Sequence, residues 1–340
     1  MQLPFPCLTP SMSSHDPVFD SRFETRFLHP RYWFSWLALG VLMLLAFVPV
    51  RLRDRLAAAL APLVFRISKK QVYIARTNLA LCFPQKSEAE RDAILMTSIR
   101  VGLKSLLGFG EFSVRSPAYL MKRMRVTGWE HIEAEQAAGR PVILVVPHSW
   151  PVDAAGYYFT RRGVPMCTMM KRARNPVFDW HLNRARARNG CRVYERSAGI
   201  KAVIRTIKEG NSFFYLPDQD HGREKSIFAP FFGQPKATLP ALPRLVQVSG
   251  AKAVPLLACY DEAHHCYRLE IDAPFDNYPT DDVMADTCRM NDMVQQQLSR
   301  DPGQYMWFLK IFDTREDQVG LDGRYEAGIQ RIRRGLQPLS

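Results

Sequence analysis

The sequence predicts an α/β protein, a sheet flanked by crossover helices and preceded by an N-terminal transmembrane helix. Three observations carry this. Beyond Val126, short apolar runs alternate with stretches of helical length, the sign of strands joined by helices. The run Pro141–Val146 is continuously apolar and rich in β-branched residues, as suits a strand buried on both faces. Trp33–Val50 is eighteen residues without a charge.

Residues 1–32 are polar, proline-containing and aperiodic, which predicts a mobile tail. Residues 33–50 are just long enough to span a bilayer's hydrocarbon core, with Tyr32, Trp33 and Trp36 placed as interfacial anchors. The stretch starts too late for a signal peptide and lacks a small-x-small cleavage site, so it reads as a retained anchor rather than a buried core helix. Arg22, Arg26 and Arg31 precede it, whereas Arg51, Arg53, Arg55, Arg66, Lys69 and Lys70 follow. The positive-inside rule then places the bulk of the chain in the cytoplasm, beneath a single-pass anchor.

Residues 51–125 form an expected membrane-proximal helical region. Leu52–Ile67 alternates basic and apolar residues like a helix at a membrane surface, and Asn78–Phe83 closes this first part. Ser87–Phe112 begins with Ser87 and Glu90 in capping-box spacing and ends near Gly108 and Gly110. The α/β core follows over 126–315. Its expected strands are Val142–Val146, Val164–Met170, Cys191–Tyr194, Ser212–Leu216, Ala253–Cys259 and Tyr267–Ile271. Its expected helices are His131–Ala138, Asp153–Arg161, Pro176–Arg188, Ile200–Glu209, Pro240–Val248 and Asp281–Leu298. The tail 316–340 carries four arginines between Arg324 and Arg334 and is expected to be solvated or to touch lipid headgroups.

A 340-residue chain with 47% hydrophobic content has ample material for a core. The net charge of +13 calls for an acidic partner, which charge alone leaves open among nucleic acid, anionic membrane, phosphorylated substrate and acidic carrier protein. Seven scattered cysteines without a C-x-x-C pair read as reduced thiols, not as a disulfide framework or zinc ribbon. Neither G-x-x-x-x-G-K nor G-x-G-x-x-G occurs, so nucleotide binding has no support.

The chemistry gathers after Pro141–Val146, where a turn bounded by Pro147 and Pro151 carries His148 and, five residues on, Asp153. On one helix these two would sit about 140° apart and could not face one atom. With His148 at the strand end and Asp153 in the first turn of the next helix they can meet, the carboxylate holding one imidazole nitrogen and leaving the other as a base. That is a base and its orienter without a serine, as required when the nucleophile belongs to the substrate. A histidine satisfied by a nearby carboxylate is the equally available plainer reading.

This H-x-x-x-x-D after an apolar strand resembles the glycerolipid acyltransferase superfamily, and P-H-S-W-P-V-D is similar to its lipid A branch, the late acyltransferases that add secondary acyl chains. N-P-V-F-D-W (Asn175–Trp180), L-P-D-Q-D-H-G (Leu216–Gly222), K-A-T-L-P-A (Lys236–Ala241) and Q-Y-M-W (Gln304–Trp307) extend the resemblance over about Arg31 to Arg315. Aspartate as second dyad member and D-Q-D-H-G look like the myristoyl-transferring members.

The resemblance implies a mixed sheet, no cofactor and no metal. It implies transfer of an acyl chain, myristoyl by motif wording, from acyl carrier protein to a hydroxyl of a β-hydroxyacyl chain on a Kdo-lipid A precursor at the inner membrane. His148 would be the general base and Asp153 its orienter; nucleic acid is not a partner. Lys171, Arg172, Arg174 and Asn175 would bind substrate phosphates ahead of a helix, where residues alone favour a solvated basic loop. Arg196 is either a second clamp or an ion-pair partner of Glu195. Asp218, Asp220 and His221 would position substrate, although their chemistry also suits a metal. Phe228, Phe231 and Phe232 would line an acyl groove or clamp a loop onto the core. The alternatives are a lauroyl-transferring sister enzyme, a membrane-anchored metal-dependent phosphohydrolase using the histidines and aspartates as ligands, and a non-catalytic basic lipid-binding protein.

Overall fold

The computed structural model describes residues 18–317 and 323–337. Its centre is a seven-stranded sheet made of β1 (Met124–Thr127), β2 (Val142–Val145), β3 (Met166–Met170), β4 (Cys191–Glu195), β5 (Ser212–Tyr215), β8 (Lys252–Asp261) and β9 (Cys266–Ile271). Their order is β1-β9-β8-β2-β5-β3-β4. All neighbours run parallel except β8 and β9, which form an antiparallel pair, so the sheet is mixed. β6 (Ile227–Phe231) and β7 (Gln234–Thr238) make a separate antiparallel hairpin.

β2 explains itself by its position. It is fully buried between β5 and β8, and helices cover both faces. Ile143 and Val145 join Phe213 and Tyr215 in one core, with α10 (Ile200–Lys208), α11 (Ala241–Ser249) and α12 (Val283–Arg300). Val142 and Leu144 join Phe214 and Val254 in the other, with α7 (Trp129–Ala137) and α8 (Val152–Arg161). A strand buried on both faces leaves no position for a polar residue, and its sequence is accordingly apolar throughout. α9 (Pro176–Arg188) starts as expected, with Pro176 at the first helical position and Asn175 accepting from the amides of Val177 and Phe178.

The helical region comprises α1 (Trp33–Leu45), α2 (Val50–Ile67), α3 (Lys69–Cys82), α4 (Glu88–Leu107), α5 (Glu111–Val114) and α6 (Pro117–Met121). The Ser87–Glu90 capping box opens α4. α4 is also long and apolar enough to cross a membrane, but Ser98 donates to the Tyr305 carbonyl (2.6 Å), and Arg100 and Lys104 bind Glu262 (2.7 Å each). It is tied to the α/β core.

Four expectations need correction. The tail 1–32 is not uniformly mobile: residues 1–17 lie outside the described residues, but Val18 bridges Tyr194 on the edge strand β4, and Phe27 is buried. The stretch 33–50 is not one continuous helix. α1 has 13 residues, about 20 Å against about 30 Å of hydrocarbon, and the chain turns before α2. Arg53 is no surface charge, since it donates to Glu111 (2.6 Å), which Arg123 also holds, in a buried cluster. The C-terminal region is not simply solvated: α13 (Glu326–Arg333) packs on α3, with the Tyr325 hydroxyl donating to Asn78 (2.5 Å) and Ile329 buried.

Candidate active site

β2 and β5 are parallel neighbours in which Val145 faces Tyr215. Three residues beyond each lie His148 and Asp218. The strands therefore deliver an imidazole and a carboxylate to the same sheet edge, the carboxyl end where α/β folds place ligands. Asp218 accepts from the His148 backbone amide through Oδ2 (2.9 Å) and meets His148 Nδ1 with Oδ1 (2.5 Å). A carboxylate on Nδ1 assigns the neutral ring's proton to that nitrogen and leaves the Nε2 lone pair outward, where the Gln219 amide nitrogen lies at 3.2 Å. Asp218 is buried whereas His148 is partly exposed. Burial pushes Asp218 toward the neutral acid, but the His148 charge and hydrogen bonds outweigh it and hold the carboxyl at about 2. The buried Tyr305 hydroxyl adjoins this carboxylate without completing a well-formed hydrogen bond; burial and then the Asp218 charge raise its pKa well above the tyrosine range.

The expected partner of His148 is elsewhere. Asp153 accepts from Arg186 of α9 through Nε (2.7 Å) and Nη2 (2.6 Å). Between His148 and α8 the chain turns tightly. Ser149 N bonds the Pro147 carbonyl (2.6 Å), Trp150 N the Gln304 carbonyl (3.0 Å), and the His148 carbonyl accepts from Met306 N (3.0 Å). That turn points Asp153 across the start of α8 toward α9. The carboxylate of the motif thus ties two helices together beside His148, and the hydrogen bond to the imidazole belongs to Asp218.

The profile of the family described as bacterial lipid A biosynthesis acyltransferase matches residues 21–314. The chain belongs to this family. It is 38% identical over 299 residues to a lipid A biosynthesis acyltransferase of Haemophilus influenzae, covering 88% of this chain and 93% of that one. It is 37% identical to the lipid A biosynthesis myristoyltransferase of Escherichia coli, over 89% of this chain and 93% of the relative. To the lauroyltransferase of the same organism it is 31% identical, over 89% and 98%. The chain is an acyltransferase of lipid A biosynthesis, and relatives named for different acyl chains lie within the same range of similarity.

In this lipid A acyltransferase the other predicted site residues separate into two groups. Asp220 accepts from Gly222 N (2.9 Å) and from the Thr314 amide (2.7 Å) and hydroxyl (2.8 Å), fastening the turn after β5 to residue 314. Asn175 caps α9 and donates to Ser35 (2.7 Å). Both side chains are thereby engaged within the fold. Lys171, Arg172 and Arg174 stay exposed in the loop after β3, with Arg172 paired to Glu195 (2.8 Å). Arg196 reaches within 3.5 Å of His221, a ring whose pKa burial lowers, as do the charges of Arg196 and Lys236. Among the described residues, no group of three or more His, Cys, Asp or Glu side chains is placed to hold a metal ion.

Sequence reasoning left three phenylalanines open between an acyl groove and a clamp on the core, and missed two further features. Phe228 and Phe231 lie on β6 and Phe232 begins its turn, so these aromatics belong to a hairpin packed on the core; Phe231 is buried against Phe312. Lys236, noticed only as part of a motif, is fully buried on β7; burial drives its pKa down to about 8 against the pull of Asp218 and Asp220. Finally, Trp150 divides two apolar cavities of about 280 Å³ and 180 Å³, which share Gly102, Leu106 and its indole as walls. A tryptophan inside the H-x-x-x-x-D motif, two residues from His148, is the one signal in the sequence for the last of these.

Proposed function

We propose that this lipid A acyltransferase moves a myristoyl chain from acyl carrier protein to a hydroxyl of a β-hydroxyacyl chain on a Kdo-lipid A precursor, with His148 as general base. The hydrogen-bonded pair of His148 and Asp218 at the sheet edge carries the reading. Nε2 takes the hydroxyl proton as that oxygen attacks the thioester carbonyl, and the imidazolium returns it to the departing carrier thiolate. Asp218 holds the tautomer and stabilises the imidazolium. Asp153, expected from sequence to orient the base, acts in this proposal through its pair with Arg186, holding α8 and α9 on either side of the incoming acceptor. General-base action contributes about 10²- to 10⁴-fold, and alignment of two bound substrates supplies much of the remainder.

The basic side chains Lys171, Arg172, Arg174 and Arg196 are proposed to meet the phosphates of the acceptor, and the +13 chain suits an acidic carrier. The cavities beside Trp150 are apolar, as an acyl chain requires, and the smaller is lined by Trp150, Pro151 and Asp153 of the turn that follows His148. The free thiols of the described cysteines support a catalytic domain on the cytoplasmic side of the inner membrane, and the exposed Arg51, Arg55, Arg66, Lys69 and Lys70 suit its anionic headgroups.

The test is mass spectrometry of products from Kdo-lipid A precursor and an equimolar mixture of lauroyl- and myristoyl-carrier protein. Gain of one myristoyl group, lost in His148→Ala and unchanged by chelator, is the expected result. A lauroyl gain moves the donor assignment to the sister activity. No gain from folded enzyme overturns the proposal, and chelator sensitivity would revive metal-dependent hydrolysis.

A further inference from the structure

The segments on either side of α1 are both fastened to the catalytic domain. Before the helix, Phe19 N donates to the Val193 carbonyl of the edge strand (2.8 Å), and the Trp180 indole of α9 donates to the Ser21 carbonyl (3.1 Å). Phe23 and Phe27 lie against the Trp180 ring. After the helix, Arg53 is buried on Glu111, and Asp54 accepts from the hydroxyl of Tyr260 on β8 (2.8 Å). A helix that crossed the bilayer would deliver these segments to opposite sides, about 30 Å apart.

α1 is also partnered along one side only. Ser35 and Leu39 are buried, and Asn175 donates to Ser35 (2.7 Å). Its other side presents Trp33, Phe34, Leu37 and Leu44, which are 64–80% exposed. α2 repeats the arrangement: Arg53, Asp54, Ala57 and Ala61 face inward, while Leu52, Leu56, Leu63 and Ile67 form an exposed apolar stripe. At about 100° per residue, exposed Arg51, Arg55 and Arg66 fall on a strip alongside that stripe. Apolar area of this extent is costly in water, and a basic border beside it fits anionic headgroups.

We propose that α1 and α2 lie in the plane of an anionic bilayer, entering one leaflet from the side that carries the catalytic domain, so that α1 never crosses. This concerns how the protein sits in the membrane and stands apart from the reaction assigned above. Trp33, Phe34, Leu37 and Leu44 enter the acyl region, and the arginines of α2 sit at the phosphates. The loop Lys171–Asn175, joined to α1 through Ser35, is thereby held at headgroup level.

The test is sidedness of the full-length protein in inner-membrane vesicles. Ser21→Cys and Arg51→Cys, each in a Cys7→Ser background with the parent as blank, are treated with a membrane-impermeant maleimide in right-side-out and inverted vesicles. Labelling of both positions from the same face is expected; labelling from opposite faces overturns the proposal. Flotation of the purified protein with phosphatidylglycerol-containing vesicles is expected to fall at least about tenfold in Leu37→Glu/Leu44→Glu. Flotation unchanged by that double substitution, or no flotation of the parent, also overturns it. Both readouts are independent of acyl transfer.

Discussion

His148 and Asp218 stand in corresponding positions on parallel neighbours, each three residues past the facing pair Val145 and Tyr215. Their hydrogen bond is therefore a property of the sheet's register, not of local sequence. Asp218→Asn is expected to lower kcat by about 10²- to 10⁴-fold, because the amide cannot stabilise an imidazolium. Asp153→Asn, which loosens α8 from α9, is expected to raise KM more than it lowers kcat. Equal loss of kcat in the two variants would contradict this division of roles.

The Asp218 carboxyl also makes stability pH-dependent. Its pKa lies below the ordinary carboxyl value of 3.8, at about 2. The unfolded chain therefore binds the proton first as pH falls. The stabilisation from this group is fully present above about pH 4 and is lost as pH drops toward 2. Denaturant midpoints measured across that window should decline less steeply in Asp218→Asn than in the parent. Parallel decline in the two proteins would argue against the shift.

Lys236 has the opposite sign. Burial lowers its pKa from 10.5 to about 8, so the unfolded chain holds the proton more tightly. The penalty is fully present below about pH 8 and shrinks as pH rises toward 10.5. Lys236→Met is expected to raise the thermal midpoint at pH 7 and to lose that advantage by pH 10. A pH-independent difference would assign the effect to packing instead.

Much of this fold was readable locally. Asn175 and Pro176 mark the start of α9, Ser87 and Glu90 the start of α4, and the unbroken apolar run of β2 its central place. What escaped depends on partners distant in sequence. β1 is four residues with alternating exposure, paired to a strand more than a hundred residues on. β6 carries Pro230 and β7 Pro235, which demote a strand reading, yet they face each other in an isolated hairpin free of such demands. His148 was legible because the polar turn follows an apolar strand. Local sequence points its ring to the nearby Asp153, because the β2–β5 adjacency that brings Asp218 has no local sign. The apolar purity of 33–45 resembles a membrane span, and the docking of residues on both sides of it shows only in three dimensions.

Glu111 lies at the centre of the charge cluster that joins α2 to the core, bound by Arg53, Arg123 and the Tyr119 hydroxyl (2.8 Å). Glu111→Ala leaves two guanidinium groups facing each other in a buried site. A cost of about 3–5 kcal/mol is expected, read from denaturant unfolding. Arg53→Met/Glu111→Leu, which removes one charge of each sign, should cost clearly less than Glu111→Ala alone. A double variant as unstable as the single one would refute the account in terms of uncompensated charge.

Trp150, two residues past His148, walls both apolar cavities, and Gly102 limits where its ring can sit. The indole donates to Ser98 (2.9 Å), which itself donates to the Tyr305 carbonyl (2.6 Å). A Cβ on Gly102 would stand 2.7 Å from the ring, closer than any side chain tolerates. Gly102→Ala must therefore push the indole aside, at an overpacking cost of about 1–3 kcal/mol. Because Trp150 is two residues beyond His148, the displacement reaches the motif itself. A fall of about tenfold in kcat/KM, equivalent to about 1.4 kcal/mol, is expected with a myristoyl donor. The smaller ring in Gly102→Ala/Trp150→Phe should recover part of that loss, a non-additivity that residues in contact display. If the double variant loses the sum of the two single effects, the glycine does not act through the indole, and the wall between the cavities is set by something else.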